Sequence, residues 1–287
     1  MSSQARMPSG YRGPYHPVVH QQRRLTASGS LPGAWIISAG ALGRLERAGL
    51  APGLLRELFD RRSTLFLAAR PASIVALAST TAVFRSETAL ARALVSRTAP
   101  ASAPDVLVDL EHWPFTPLSE QLHPIAALRA AAAVAAAYGK HLVFAPAFDL
   151  MKVLGRGDLS GEMLWEAFDR RVLEPAATIV SDIEVQAQGA EGTALAQVVA
   201  ARAIAEIHRV RPAVRVFVGL STNPDGRSVT PADLVAVVRA TPDAAGYWLN
   251  VPEAGAACPA CGNAASPVGV AFLEQLAAGA ATPSRVP

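Results

Sequence analysis

The sequence has little of several features, and each shortage excludes a class of protein. Its 287 residues contain 6% aromatic and 17% charged residues, and Lys140 and Lys152 are the only lysines. The arginines are scattered and form no basic stripe with interleaved aromatics, so we expect no nucleic acid partner. No run approaches the roughly 20 apolar residues that a membrane-spanning helix needs, so we expect no membrane insertion.

What remains is a chain that can bury a large core. Apolar residues make up 51% of the sequence, which is typical of a globular protein. Residues 1–31 are rich in Pro, Gly, Ser, Gln and Arg without periodicity, and they predict a flexible arm before one domain over 32–287. The amino terminus lacks the order of a secretory signal, so we expect a cytoplasmic protein. The bias towards Arg and Ala suggests a bacterial, GC-rich genome.

A repeated alternation of apolar runs and helical stretches begins at Ala34. The predicted strands are 34–39, 64–69, 106–111, 141–145, 178–186, 214–220 and 247–251, and the predicted helices are 42–59, 73–97, 124–138, 161–172, 193–209, 231–240 and 267–278. These seven strand–helix units predict a parallel sheet with right-handed crossovers. We interpret the chain as a (β/α)8 TIM-type barrel, with a candidate eighth strand at 16–20. A doubly wound open sheet is the alternative, but residues 38–43 lack its glycine-rich GxGxxG turn.

The first candidate site motif ends the strand that starts at Val106. Asp109 and Glu111 are two residues apart, so they share one face of the strand, with Cα atoms about 6–7 Å apart. Two acids at this distance in a barrel mouth can have separated pKa values, so that one donates a proton while the other stays ionised. The alternative is that they pair with Arg side chains or backbone donors at the rim.

A second polar stripe follows on the strand at 178–186. Asp182, Glu184, Gln186 and Gln188 have one parity, and Ile183 and Val185 have the other. An inward polar stripe is costly unless it meets partners or a ligand. We therefore predict Glu184, Asp182, Glu111 and Asp109 as the catalytic residues, with Glu184 the most important. Glu184→Gln should abolish turnover and leave the fold intact.

Further polar and aromatic residues stand near other strand ends. Gln186, Gln188, Asn223 and Asn250 are candidates to bind substrate hydroxyl groups, and Trp113 and Trp248 are candidates for an apolar platform. For Trp248 and Asn250 the alternatives are a core residue and a turn cap. Asp149 is a third strand-end carboxylate, with a turn or helix cap as its alternative. His112 and His123 are weaker candidates. The sequence has no HExxH motif, serine elbow or P-loop.

The two cysteines form the single motif Cys258-Pro259-Ala260-Cys261. It supplies half of a tetrahedral zinc site, and no second pair completes it. The alternatives are a redox pair, a partial metal clip or a loop with two free thiols. Because the motif follows the last predicted strand, we expect it to contribute little to catalysis.

The strand-end DxE motifs at Asp109–Glu111 and Asp182–Glu184 resemble those of glycoside hydrolases built on (β/α)8 barrels, including chitinase-like enzymes. The longer chitinase pattern DxxDxDxE is incomplete, because Pro104 and Leu107 replace its earlier acids before Glu111, and Ala177 and Val180 replace them before Glu184. The stretches IEVQAQ, GLSTNP and GYWLN, with CPAC, are similar to uncharacterised bacterial, mainly actinobacterial, proteins. The resemblance implies a barrel with a pocket.

Three functions follow from these residues. The first is a glycosidase-like hydrolase that needs no cofactor and acts on a saccharide or other small molecule, with the carboxylates as acid, base or nucleophile. The second is a magnesium-dependent lyase, cyclase or aldolase-type enzyme, with the same carboxylates as ligands and Arg70 and Arg85 as candidates to hold a diphosphate. The third is a barrel that binds ligands without catalysis.

Overall fold

The computed structural model describes residues 31–281, except Gly157 and Ala257, and shows a closed barrel of eight parallel strands. The strands are β1 Trp35–Ser38, β2 Leu65–Leu67, β3 Ser79–Phe84, β4 Asp105–Leu110, β5 His141–Pro146, β6 Asp182–Val185, β7 Arg215–Ser221 and β8 Gly246–Asn250. Each strand pairs with the next along the chain, and β8 closes on β1. The prediction of a (β/α)8 barrel is therefore confirmed.

The helices surround the barrel. They are α1 Ala39–Arg47, α2 Pro52–Phe59, α3 Glu87–Val95, α4 Leu118–Leu122, α5 Pro124–Ala137, α6 Gly161–Phe168, α7 Glu174–Ala177, α8 Ala194–Val210, α9 Pro231–Ala240 and α10 Ser266–Ala281. The start of α9 follows from its sequence, because Thr230 and Asp233 form a reciprocal capping box and Pro231 occupies the first turn. None of the helices in the described ranges is long and apolar enough to span a bilayer.

One predicted helix is wrong. The segment 73–97 contains β3, which lies between β2 and β4 and pairs with both. Thr80 and Thr81 are buried in this strand, and Ser86 then caps the start of α3. β3 is therefore the strand that the sequence analysis missed, and it completes the closed barrel of eight. The candidate strand at 16–20 lies outside the described residues, together with nearly all of the predicted arm.

Side-chain alternation divides the strands into two layers. The inward side chains of the middle barrel form an apolar cluster of Ala34, Ile36, Leu65, Leu67, Leu107, Val143, Ala145, Phe217 and Trp248. Side chains of opposite parity, such as Val106, Ile183 and Val216, pack outward against the helices. The apolar interior therefore separates polar groups at the two ends of the barrel, so that inward residues of one strand can have unrelated roles.

Candidate functional site

A cavity of about 650 Å³ opens at the carboxyl ends of the strands, where (β/α)8 barrels place their active sites. Carboxylate, amide, aromatic and cationic side chains line it. The lining includes Asp109, Glu111, Trp113, Phe148, Asp149, Lys152, Arg156, Gln186, Gln188, Ser221, Pro224, Asp225, Trp248, Asn250, Cys258 and Cys261. Seven of the ten site residues that the sequence predicted therefore line this cavity, and the three that do not are Glu184, Asp182 and Asn223.

Asp109 and Glu111 form a hydrogen-bonded carboxyl pair in the cavity. Burial raises the pKa of Asp109 to about 6, although hydrogen bonds from Glu111 and from Nε2 of Gln186, 2.9 Å from Oδ1, oppose the rise. Burial and the neighbouring charge of Asp109 raise the pKa of Glu111 to about 10. Near neutral pH the pair thus shares one proton, held on Glu111.

Glu184 lies beside this pair but does not line the cavity. Its side chain is fully buried, and neither carboxyl oxygen has a hydrogen-bond partner among the described residues. Burial, with a smaller contribution from the charge of Asp109, raises the pKa of Glu184 well above its ordinary range. The inward direction predicted for Glu184 is therefore correct, and its position is beneath the cavity floor.

Gly219 in β7 provides the space that Glu184 occupies. A Cβ atom at this position would overlap Oε1 of Glu184 and the side-chain amide of Gln188, so both side chains lie over the bare backbone. A glycine inside a strand often marks such a close approach. This signal was available in the sequence stretch 215–221, but it gave no indication of which side chains would fill the space.

We expect Gly219→Ala to destabilise the protein by about 1–3 kcal/mol, the usual cost of overpacking a core. Gln188 can turn towards the cavity, whereas Glu184 is enclosed and has no such route. Urea unfolding measures the change. Gly53→Ala in α2 is the matched control, because a Cβ there meets nothing within 4 Å. Equal stability of the two variants would contradict the packing around Gly219.

We also expect Glu184 to lower the stability of the wild type as the pH rises. An acid with a raised pKa in the folded state binds its proton more tightly there than in the unfolded chain. Stability therefore falls from the ordinary carboxyl pKa up to the folded one, by about 1.4 kcal/mol per pH unit. The free energy of unfolding of Glu184→Gln, measured in urea, should therefore rise relative to that of the wild type by about 1.4 kcal/mol for each pH unit between pH 5.5 and 7.5.

The control for this pH series is Glu274→Gln, since Glu274 is exposed on α10. Its stability should run parallel to that of the wild type at every pH. If the Glu184→Gln curve also runs parallel, Glu184 is ionised in the folded protein and must have a partner that neutralises it.

Asp182 lies at the other end of the barrel, apart from the cavity. It is fully buried and accepts a hydrogen bond from Nε of Arg215 at 2.7 Å, and Nη2 of Arg215 also donates to it. His141 lies 3.1 Å from Asp182 through Nε2 and 2.9 Å from Asp105 through Nδ1. The hydrogen bond to Asp105 raises the pKa of His141. Asp182 and Glu184 are two residues apart on the same strand, so both side chains point into the barrel. They lie at different heights along the barrel axis, Asp182 at the amino end and Glu184 near the cavity.

The predicted substrate-binding residues divide in a similar way. Gln186, Gln188, Asn250, Trp113 and Trp248 all line the cavity. The indole Nε1 of Trp248 is buried without a hydrogen-bond partner among the described residues, whereas Nε1 of Trp113 donates to Thr116. Trp248 is therefore both a core residue and a cavity residue.

Asn223 has a different neighbourhood. Its Nδ2 donates to the backbone oxygens of Cys261 at 2.7 Å and Asn263 at 3.3 Å, and the residue does not line the cavity. Its side chain therefore joins the loop after β7 to the loop after β8. Of the two arginines considered for a diphosphate, neither lines the cavity, and Arg85 lies over the rings of Trp113 and Phe115.

Two further acids, beyond the ten predicted site residues, make hydrogen bonds at this end of the barrel. Asp149 lines the cavity, accepts a hydrogen bond from the backbone of His112 at 2.9 Å and lies 3.9 Å from Nζ of Lys152. Glu191 is buried and accepts two hydrogen bonds from the backbone N–H of Ser221, at 2.8 and 3.1 Å. Asp149 was visible as a strand-end acid, but Glu191 follows a loop and had no signal in the sequence.

The carboxylates do not form a ready-made magnesium site. Within the described ranges, no three His, Cys, Asp or Glu side chains are grouped as ligands of a metal ion. Asp109 and Glu111 instead use oxygen atoms to bind each other. The described residues therefore offer no preassembled three-ligand centre, and the magnesium-dependent alternative stays a prediction.

The two cysteines are joined as a disulfide and both line the cavity. The interpretation of the motif as two free thiols is therefore wrong, and neither thiol is available as a metal ligand in this state. Cys261 is buried, Cys258 is half-buried and the two residues between them are exposed. The position of the motif after the last strand is as the sequence predicted, but that position is beside the cavity.

Comparisons with known proteins add little to this geometry. No protein-family model matches the chain, and no curated protein sequence matches it, so the resemblance to glycoside hydrolases has no support from either. The chain is similar to a solved structure of the carboxyl transferase domain of Rhizobium etli pyruvate carboxylase with pyruvate, at 11% identity and a TM-score of 0.40. The match covers 91% of this chain and 44% of that one, so the chain spans less than half its length.

Proposed function

We propose that this protein is a hydrolase that cleaves a glycosidic or similar C–O bond in a small polar molecule by general acid catalysis. The observation that carries the proposal is the hydrogen-bonded pair of Asp109 and Glu111 in a cavity at the carboxyl end of the barrel. Amides and indoles beside the pair supply hydrogen bonds and apolar surface of the kind that a polyhydroxylated substrate requires.

Glu111 is the proposed acid. It holds the shared proton near neutral pH and gives it to the leaving oxygen of the substrate as the C–O bond breaks. Asp109 acts on Glu111 through their hydrogen bond and provides negative charge near the positive charge that develops on the sugar ring. Water then returns a proton to Glu111 as its hydroxide joins the substrate carbon.

The distance between the carboxyl groups of Asp109 and Glu111 limits the roles that the two residues can have in glycoside hydrolysis. Retaining glycosidases have carboxyl groups about 5–5.5 Å apart and inverting ones about 6.5–9.5 Å apart, and a directly hydrogen-bonded pair is closer than either. Asp109 is therefore a positioning partner of the acid and not its opposing nucleophile. Asp149 lines the same cavity, and we propose that it faces the substrate as the second carboxylate.

Two predicted catalytic residues receive other roles in this proposal. Glu184 does not touch the cavity, so its proposed role is to hold a neutral carboxyl group beneath Asp109 and keep that side of the site free of a second charge. Asp182 is part of the ion cluster at the amino end, and its proposed role is structural.

The test is a panel of small aryl glycosides with the full chain as enzyme. The rate should be bell-shaped in pH, since protonation of Asp109 near pH 6 removes the negative charge and ionisation of Glu111 near pH 10 removes the acid. A rate that disappears on adding a chelator and returns with magnesium would overturn the proposal in favour of the metal-dependent alternative. Binding of glycosides without any turnover would favour the binding barrel.

A further inference from the structure

We propose that the Cys258–Cys261 disulfide is a redox-active site that exchanges with dithiols and sets the shape of one cavity wall. We call residues 258–261 the cystine wall. Its two cysteines line the cavity, as do Pro224 and Asp225 in the loop after β7. The proposal concerns this wall and does not depend on which reaction the carboxyl pair performs.

The two cysteine residues differ in accessibility, as exchange requires. Cys258 is half-buried and lies on the cavity side of an exposed stretch, whereas Cys261 is 4% exposed. An incoming thiolate can therefore reach the Cys258 sulfur, with Cys261 as the leaving thiolate. The Sγ atom of Cys261 lies 3.9 Å from the backbone oxygen of Asn223, which can accept a hydrogen bond from it once it is a protonated thiol.

The exchange consumes one dithiol and transfers two electrons. One thiolate of the reductant attacks the Cys258 sulfur, the Cys258–Cys261 bond breaks, and Cys261 leaves and takes up a proton. The second thiol of the reductant then attacks the mixed disulfide and releases Cys258 as a thiol. The reductant ends as a cyclic disulfide and the protein as a dithiol.

A purely stabilising role explains this disulfide less well. A crosslink restricts the unfolded chain less as the loop that it closes becomes shorter, and here it joins residues only three apart in sequence. By contrast, the crosslink lies in a loop at the protein surface, since residues 253–256, 259 and 260 are exposed. Its effect is therefore local, on the position of the cystine wall.

The wall is coupled to the loop after β7. Asn223 donates to the backbone oxygens of Cys261 and Asn263, and Gly226 packs against the backbone oxygen of Ala260 so closely that a Cβ atom would overlap it. Gly226 also has a φ of +78°, which suits glycine. Loss of the disulfide releases Ala260 and Cys261 from this packing, and the cavity-lining residues Pro224 and Asp225 lose support with them.

The experiment measures reduction and loop motion on the folded full chain. The protein is equilibrated in mixtures of reduced and oxidised dithiothreitol without denaturant, alkylated with iodoacetamide and weighed by mass spectrometry. We expect two carbamidomethyl groups per chain in the reduced state and none in the oxidised state. Alkylation that occurs only after unfolding in urea would overturn the proposal, because the disulfide would then be closed to exchange.

Hydrogen exchange tests the effect on the wall. On reduction, amides in 223–227, 254–256 and 258–262 should exchange about tenfold faster, because the backbone hydrogen bonds of these loops open more often without the crosslink, while the amides of α5 stay unchanged. The Cys258→Ser/Cys261→Ser variant should show the fast exchange with and without dithiothreitol. If reduction leaves exchange in both loops unchanged, the disulfide does not set the wall and the proposal is wrong.

Discussion

Glu111→Gln should lower the rate of hydrolysis by about 10²–10⁴-fold, the usual contribution of general acid catalysis. Glutamine keeps the size of the side chain and can still hydrogen-bond Asp109, so the cavity and the fold should be preserved. The amide has no proton to give to a leaving oxygen. The measurement is kcat on an alkyl or phenyl glycoside, with the melting temperature as the check on folding.

The leaving group separates loss of the acid from general damage to the site. A dinitrophenyl glycoside expels a stable phenolate that needs no proton, so Glu111→Gln should lose far less activity on it than on a phenyl glycoside. Glu46→Gln is the matched control, because Glu46 is exposed on α1 away from the cavity. An equal loss on both substrates, or full activity on the phenyl glycoside, would remove Glu111 from the role of acid.

Arg215→Met should destabilise the protein by about 3 kcal/mol. Breaking a buried ion pair typically costs about 3–5 kcal/mol because one charge stays buried without its partner. We expect the lower end, since the Arg215 side chain is 44% exposed while Asp182 is 0% exposed. His141 remains 3.1 Å from Asp182 and compensates in part below its raised pKa. For a chain of this size the melting temperature should fall by about 5 °C.

Arg209→Met is the comparison variant for this prediction. Arg209 also binds two carboxylates, Glu206 at 2.7 Å and Glu174 at 2.8 Å, but its side chain is largely exposed. Surface ion pairs contribute little, so its loss should leave the melting temperature nearly unchanged. Both variants should keep the hydrolytic activity proposed for the cavity, because neither arginine lines it. Equal destabilisation by the two substitutions would show that the burial of Asp182 does not explain how much its ion pair with Arg215 contributes to stability.

Much of the barrel could be predicted from the sequence, because strand and helix periodicities are local. The helices at 124–138 and 231–240 match α5 and α9 closely, and Thr230 and Pro231 fixed the start of the second. The error at 73–97 has the same origin. Ala-rich flanks favoured one long helix, whereas β3 is a strand because β2 and β4 offer backbone partners on both sides.

The sequence predicted which side chains of the candidate site point into the barrel, but not how far along the barrel axis each one lies. Alternation along a strand correctly placed Asp109, Glu111, Glu184 and Asp182 inward, since side-chain parity is a property of the extended chain itself. Whether an inward residue lies at the mouth, beneath the floor or at the opposite end depends on how the strands are staggered in the closed barrel. That stagger is set by pairing between distant segments.

By itself, the sequence determined the fold class and the inward direction of its acids, because periodicity, caps and parity act within one segment. Only the tertiary structure decided that Asp109 binds Glu111, that Asp182 binds Arg215, and that the cysteine motif lies against the cavity. These pairings join residues on different strands or loops, or depend on exclusion of water by the whole barrel. Burial, more than residue type, gives each carboxyl group its pKa, and burial exists only once the barrel has closed.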